Sequence, residues 1–121
     1  MTEAMLQSII CSYFNDNYPN LLMWSSLNGV NLSGAKNKYQ TIVELKKQCM
    51  IKGVSDLYVA LPEGKGLHIE LKVGNNKQSD DQVQIEQTLN NLGHKYYVVK
   101  SLAEFKEVMK ENLYGGTTLS D

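Results

Sequence analysis

The sequence contains no arginine: all twelve of its basic residues are lysines. Bidentate guanidinium forks, and planar guanidinium stacking on rings or bases, are therefore outside its chemistry. It also has no apolar run near the roughly 20 residues that span a bilayer, and no basic n-region followed by an apolar h-region at its start. A cytosolic protein without membrane association is the expectation, whatever cell makes it. Cysteine is scarce. Cys11 and Cys49 fall at apolar helical positions and read as reduced core residues, and no cluster has zinc-ligand spacing. "GKG" at 64 to 66 lacks the Gly-Lys-Ser/Thr lead into a helix, which excludes a P-loop.

What is present suits one ordinary domain. A chain of 121 residues, 42% apolar and 21% charged, buries roughly two thirds of its unfolded surface. Residues 1–121 read as a single unit with a frayed tail from about 114. The formal charge of -1 conceals asymmetry. Between Ser25 and Ser55, Lys36, Lys38, Lys46, Lys47 and Lys52 face one acid, Glu44. Such a stretch is either a solvated helix face or a surface that tracks phosphates with point charges.

Local signals alternate along the chain. Thr2 caps a first helix in which Met5, Leu6, Ile9, Ile10, Tyr13 and Phe14 recur at helical spacing. "LLMWSS" reads as a strand that places Trp24 in the core. A polar loop, Asn28 to Lys38, follows, then a helix over about 39–50. "DLYVAL" and "LHIELKV", joined by "PEGKG", form a hairpin. Ser79 and Gln82 make a capping box that opens a third helix, with Ile85, Leu89 and Leu92 as its buried stripe and Gly93 past its end. "KYYVV" is a further strand with one of its tyrosines in the core. A second capping box, Ser101 and Glu104, starts a last helix burying Leu102, Phe105, Val108 and Met109. The order α-β-α-β-β-α-β-α implies an α/β fold: a mixed sheet with helices packed on it.

The hairpin concentrates charge. His68, Glu70 and Lys72 share one strand face. Pairing Leu61 with Leu67 across a five-residue turn sets Asp56 opposite Lys72 and Tyr58 opposite Glu70, so the two acids become near neighbours. Two carboxylates about 4 Å apart repel by about 4 kcal/mol at an effective dielectric of 20. A hard divalent cation reverses that sign, and Mg²⁺ accepts two carboxylates, a main-chain carbonyl and waters. A cation held there activates water and stabilises charge on a phosphate, with Lys72 placed to orient that water. The plainer reading of Glu-x-Lys alone is a cross-strand charge cluster on a solvated sheet. His68 reads as a hydrogen-bonded sheet histidine and His94 as solvent-facing.

"G-V-S-D-L", "I-E-L-K-V", a Gly/Asn loop, "Q-S-D-D-Q" and "L-x-x-L-G-H-x-Y-x-V-V-K-S", in that order from about Glu3 to Met109, resemble the VRR-NUC branch of the PD-(D/E)XK nuclease superfamily. Ser55 stands where that family usually has proline. The resemblance implies a restriction-endonuclease-like sheet. It also implies a Mg²⁺- or Mn²⁺-dependent deoxyribonuclease with Asp56, Glu70 and the Leu71 carbonyl as metal ligands and Lys72 as catalytic lysine. Glu3 matches an acid serving a second metal or its waters, Gln7 a glutamine one turn on, and Gln82 a catalytic glutamine. Gln82 as cap and Glu3 as a helix-dipole partner are the alternatives. Free-standing relatives imply a homodimer acting on branched DNA such as a four-way junction, with phage or bacterial origin. Lys36, Lys38 and Lys77 are candidate nucleic-acid contacts, the Asn28 to Lys38 loop a candidate substrate loop, and RNA is not excluded. The rival readings are a non-catalytic nucleic-acid-binding module and a sequence-specific restriction-type nuclease.

Overall fold

A computed structural model describes residues 1–26, 38–49 and 51–114; Lys36, most of the Asn28 to Lys38 loop and the tail beyond Tyr114 lie outside the described residues. Helix α1 (Glu3–Asn17) starts where the Thr2 hydroxyl accepts the Met5 N–H at 3.1 Å, and it buries Leu6, Ile10 and Phe14. These sit one turn apart, so a single narrow stripe enters the core, while Met5 and Ile9 face outward. Strand β1 (Leu22–Ser25) and helix α2 (Lys38–Lys47) follow. Strands β2 (Leu57–Ala60) and β3 (Gly66–Leu71) form the hairpin; helix α3 (Asp80–Asn91), strand β4 (Lys95–Val99) and helix α4 (Leu102–Leu113) complete the order.

The four strands lie in the order β1-β2-β3-β4, with β3 and β4 parallel and the other pairs antiparallel. This is the mixed sheet the sequence implies, since a crossover helix must separate parallel neighbours. One face carries Leu57, Val59, Leu67, Ile69, Leu71 and Val99 against α1 and α4, where Leu6, Ile10, Phe14, Phe105, Val108 and Met109 close the core. α3 runs along β4. Its N-terminus carries the full capping box, Ser79 Oγ accepting from Gln82 N and Gln82 Oε1 accepting from Ser79 N. Ile85 and Leu89 are half-buried on α3, whereas Leu92 is exposed because it lies past the last turn that meets the sheet. Among the described residues no helix is long and apolar enough to cross a membrane.

The hairpin register departs from the five-residue turn. Leu61 N donates to Lys65 O at 2.8 Å, so only Pro62–Gly64 turn, as one 3₁₀ step with Glu63 at φ 64° and Gly64 at φ 74°. Tyr58 therefore pairs with His68, not Glu70. A slip of two residues keeps every side chain on its face. It moves the partner of Asp56, one step beyond Leu57↔Ile69, from Lys72 to Glu70.

Two further expectations are corrected. Trp24 is 50% exposed rather than core, because β1 is an edge strand and Trp24 lies on the face away from the core. Cys49 is exposed, at φ 66° in the turn that ends α2, whereas Cys11 is half-buried and packs against the core as expected; both are free thiols. Burial raises the pKa of Cys11.

Candidate active site

The face opposite the core carries the charges. Asp56 precedes β2, and its place is fixed twice: its carbonyl accepts Ser26 N at 2.8 Å, and its Oδ2 accepts the Leu71 N–H at 2.7 Å. The turn before it is closed by Gly53, at φ 94°, where a Cβ would fall 2.8 Å from the Asp81 carbonyl carbon. Only glycine lets this turn approach the start of α3 so closely. Ser55, in the proline position, is buried and donates to Leu57 O at 3.3 Å.

Glu70 is fully buried. Tyr96 donates to its Oε1 at 2.5 Å, while Oε2 has no hydrogen-bond partner among the described residues. Gln78 lies close enough to ease the charge on Glu70, yet it commits its Nε2 to Glu86 Oε1 at 3.1 Å. Leaving a buried acceptor unpaired costs about 1–3 kcal/mol, and more when it is charged. Desolvation pushes the Glu70 pKa upward, Tyr96, Lys72 and Gln78 oppose it, and Asp56 adds to it. Asp56 is also raised, by desolvation first and by Glu3, against the Leu71 N–H and Lys72. Two neighbouring carboxyls thus both resist ionisation. Burial and the Glu70 carboxylate likewise push the Tyr96 hydroxyl upward, so it stays a donor.

Lys72 is half-buried just past β3, and its N–H donates to Val99 O at 3.1 Å, tying the end of β3 to β4. Glu3 reaches the same region from α1: Asn76 Nδ2 donates to its Oε2 at 3.1 Å, so the polar loop after β3 clips onto the first helix. Gln7 is half-buried one turn later, and Lys77 is exposed. Lys38 opens α2, remote in sequence from these residues, and its side chain is outside the described residues. Gln82 makes the capping contacts given above.

The donor set fits a hard divalent cation. Mg²⁺ accepts two carboxylates, a main-chain carbonyl and waters; among the described residues no three His, Cys, Asp or Glu side chains group as metal ligands. The unpartnered Glu70 Oε2 is the oxygen such an ion would satisfy. Leu71 is held through its N–H by Asp56, and its carbonyl belongs to the same strand end.

Tyr96, Gln78 and Asn76 escape a reading of the sequence. Alternation in "KYYVV" says one tyrosine faces inward; only the parallel register Glu70↔Val98 shows that Tyr96 is the one reaching Glu70. Tyr97 instead accepts a hydrogen bond from Asn112 at 3.1 Å. His68 pairs only loosely, 3.5 Å from Ser55 Oγ, and burial with nearby His94 holds its pKa below the usual imidazole range.

No family model and no curated protein matches the sequence. Solved structures do. One, a "VRR_NUC domain protein", superposes with a TM-score of 0.70 over 92% of this chain and 87% of its own, at 17% identity. The chain has the VRR-NUC fold. A second structure, a "VRR_NUC domain", gives a TM-score of 0.61 at 18% identity, covering 89% of this chain and 94% of its own. In this VRR-NUC fold the hairpin that carries Asp56, Glu70 and Lys72 forms the sheet centre.

Proposed function

We propose that this chain is a divalent-metal-dependent nuclease that hydrolyses DNA phosphodiesters to 5′-phosphate and 3′-hydroxyl ends. The observation that carries the reading is Glu70: a buried carboxylate with an unpartnered oxygen, set across from Asp56 and beside Lys72. A structural ion pair does not need that arrangement, because two acids near one lysine repel each other and repel phosphate. Asp56, Glu70 and the Leu71 carbonyl would hold Mg²⁺ or Mn²⁺, with Glu3 reaching its waters. The ion would supply charge stabilisation and an activated water. Asp56 is oriented for this by the Leu71 N–H and Glu70 by Tyr96, so neither carboxylate has to reorganise during the reaction. Lys72 orients the attacking water and neutralises charge growing on the phosphate. The names of the two superposable structures support the same reading.

The substrate reading is branched DNA cut by a homodimer, since two symmetric sites suit paired cuts across a four-way junction. Labelled four-way junction, flap, linear duplex and a matching RNA strand, incubated with Mg²⁺ or Mn²⁺ and with EDTA, test it. Metal-dependent cutting that favours the junction is expected, falling about a hundredfold or more in Lys72→Ala. Binding without cutting in either metal would leave a nucleic-acid-binding module instead.

A further inference from the structure

Beside the acids, the same sheet face carries a straight row of rings. The registers Trp24↔Tyr58, Tyr58↔His68 and His68↔Tyr96 place one ring-bearing side chain on each of the four strands. Trp24 and Tyr58 have ring centroids 4.9 Å apart with planes tilted by 41°, Tyr58 and His68 meet edge to face at 4.9 Å, and His68 and Tyr96 lie 6.4 Å apart with nearly parallel planes. His94 closes on His68 at 5.5 Å. Gly66 makes the row possible, because a Cβ there would overlap the Tyr58 hydroxyl.

We propose that Trp24, Tyr58 and His68 form a stacking platform for an unpaired base of the strand being cut; this rests on the nuclease reading above. Tyr58 lies two residues after Asp56 and His68 two before Glu70, an offset of about 7 Å along each strand. A base attached to a phosphate seated at the acids reaches that far. The indole is half in water, which an ordinary core tryptophan is not. A concavity of about 240 Å³ is lined by Trp24, Ser26, Ser55, Tyr58 and His68 among others. Its lining is mostly apolar, which suits the face of a planar heterocycle. With no arginine in the chain, rings are its only means of stacking a base through a planar π-system. Paired bases hide their faces in the duplex, so the occupant is a single-stranded segment: a flap, an end or an opened branch point.

Trp24 is the sole tryptophan, so its emission reports the platform directly. In EDTA, where no cutting occurs, an oligothymidylate single strand is expected to quench Trp24 saturably, and a blunt duplex of equal length to leave it nearly unchanged. By anisotropy of a labelled strand, Trp24→Ala and Tyr58→Leu should weaken single-strand binding about fivefold to a hundredfold, with duplex binding little altered. Gly66→Ala, which displaces the Tyr58 ring without removing it, should give the same direction. Single-strand binding that neither quenches Trp24 nor responds to these variants overturns the platform, even if the protein cleaves DNA. Quenching that instead follows protein concentration in the absence of DNA assigns the row to a contact between copies of the chain and overturns it too. Absence of both binding and cleavage for every nucleic acid removes the nuclease reading, and the platform with it.

Discussion

Glu70→Gln is expected to cut phosphodiester cleavage by roughly a thousandfold while making the metal-free protein harder to unfold. The activity loss follows from removing a charged oxygen that would hold the cation: about 4 kcal/mol of lost transition-state stabilisation is a thousandfold in rate. The stability gain follows from burial. Glu70 is fully enclosed, one oxygen has no partner, and desolvation raises its pKa. A neutral amide removes that charge and can still accept from Tyr96, so a gain of about 1 kcal/mol or more at pH 7 is expected in urea denaturation. The pH dependence has a definite sign. A carboxyl whose folded pKa lies above its unfolded value, about 4.3 for glutamate, binds more protons when folded. Stability of the metal-free wild type therefore rises as pH falls through the folded value toward the unfolded one, and declines as pH climbs back. The slope should shrink in Glu70→Gln and not vanish, because Asp56 is raised as well. Saturating Mg²⁺, binding only the folded state, should stabilise the wild type and not the variant. Retained cleavage in Glu70→Gln, or a variant less stable than the wild type at pH 7, would remove Glu70 from the site.

Phe105→Ala is the stability counterpart, with an expected loss of about 3–5 kcal/mol from a total of about 5–15 kcal/mol. Phe105 is fully buried on α4 and meets the Tyr13 ring of α1 edge-on at 6.3 Å. Its loss leaves a cavity at the contact that ties both helices to the sheet, and α1 carries Glu3. A fall in melting temperature of roughly 10–20 °C is the corresponding thermal readout. Leu92→Ala, an apolar change of similar kind at an exposed position, should stay within about 0.5 kcal/mol. Equal effects in the two variants would mean that the core drawn here does not carry the stability.

Much of the fold could be read from local signals, and the reason is visible in them. Thr2, Ser79 and Ser101 each accept a hydrogen bond from the N–H three residues on, an interaction set by short spacing alone. A mixed sheet followed from the connections, since a hairpin and a crossover leave few arrangements; the strand order β1-β2-β3-β4 became visible only in the folded chain. Facing residues were harder. The hairpin register depended on whether Lys65 and Gly66 belong to the turn or the strand, and the Leu61 to Lys65 bond decides that only once the chain is folded. Trp24 looked like core because it is large and apolar; an edge strand with one face turned from the core leaves it half exposed. The acids could be read as a motif, but Glu70's complete burial, and the Tyr96 and Gln78 that surround it, depend on parallel pairing with β4 and on the placement of α3. No spacing in the sequence encodes those.

The neighbouring amides of Leu71 and Lys72 have different partners, and that difference puts the assembly of this site in time. Leu71 N–H is held by Asp56, fifteen residues back within the hairpin, whereas Lys72 N–H is held by Val99, which arrives only after the whole of α3 has crossed the sheet. Shorter loops close first and non-local pairing is slow. During refolding, pulse-labelled exchange should therefore protect Leu71 before Lys72, and simultaneous protection would indicate one concerted step. The chain would then draw its two acids together early, while β4 and Tyr96 are still absent, and enclose Glu70 only at the end.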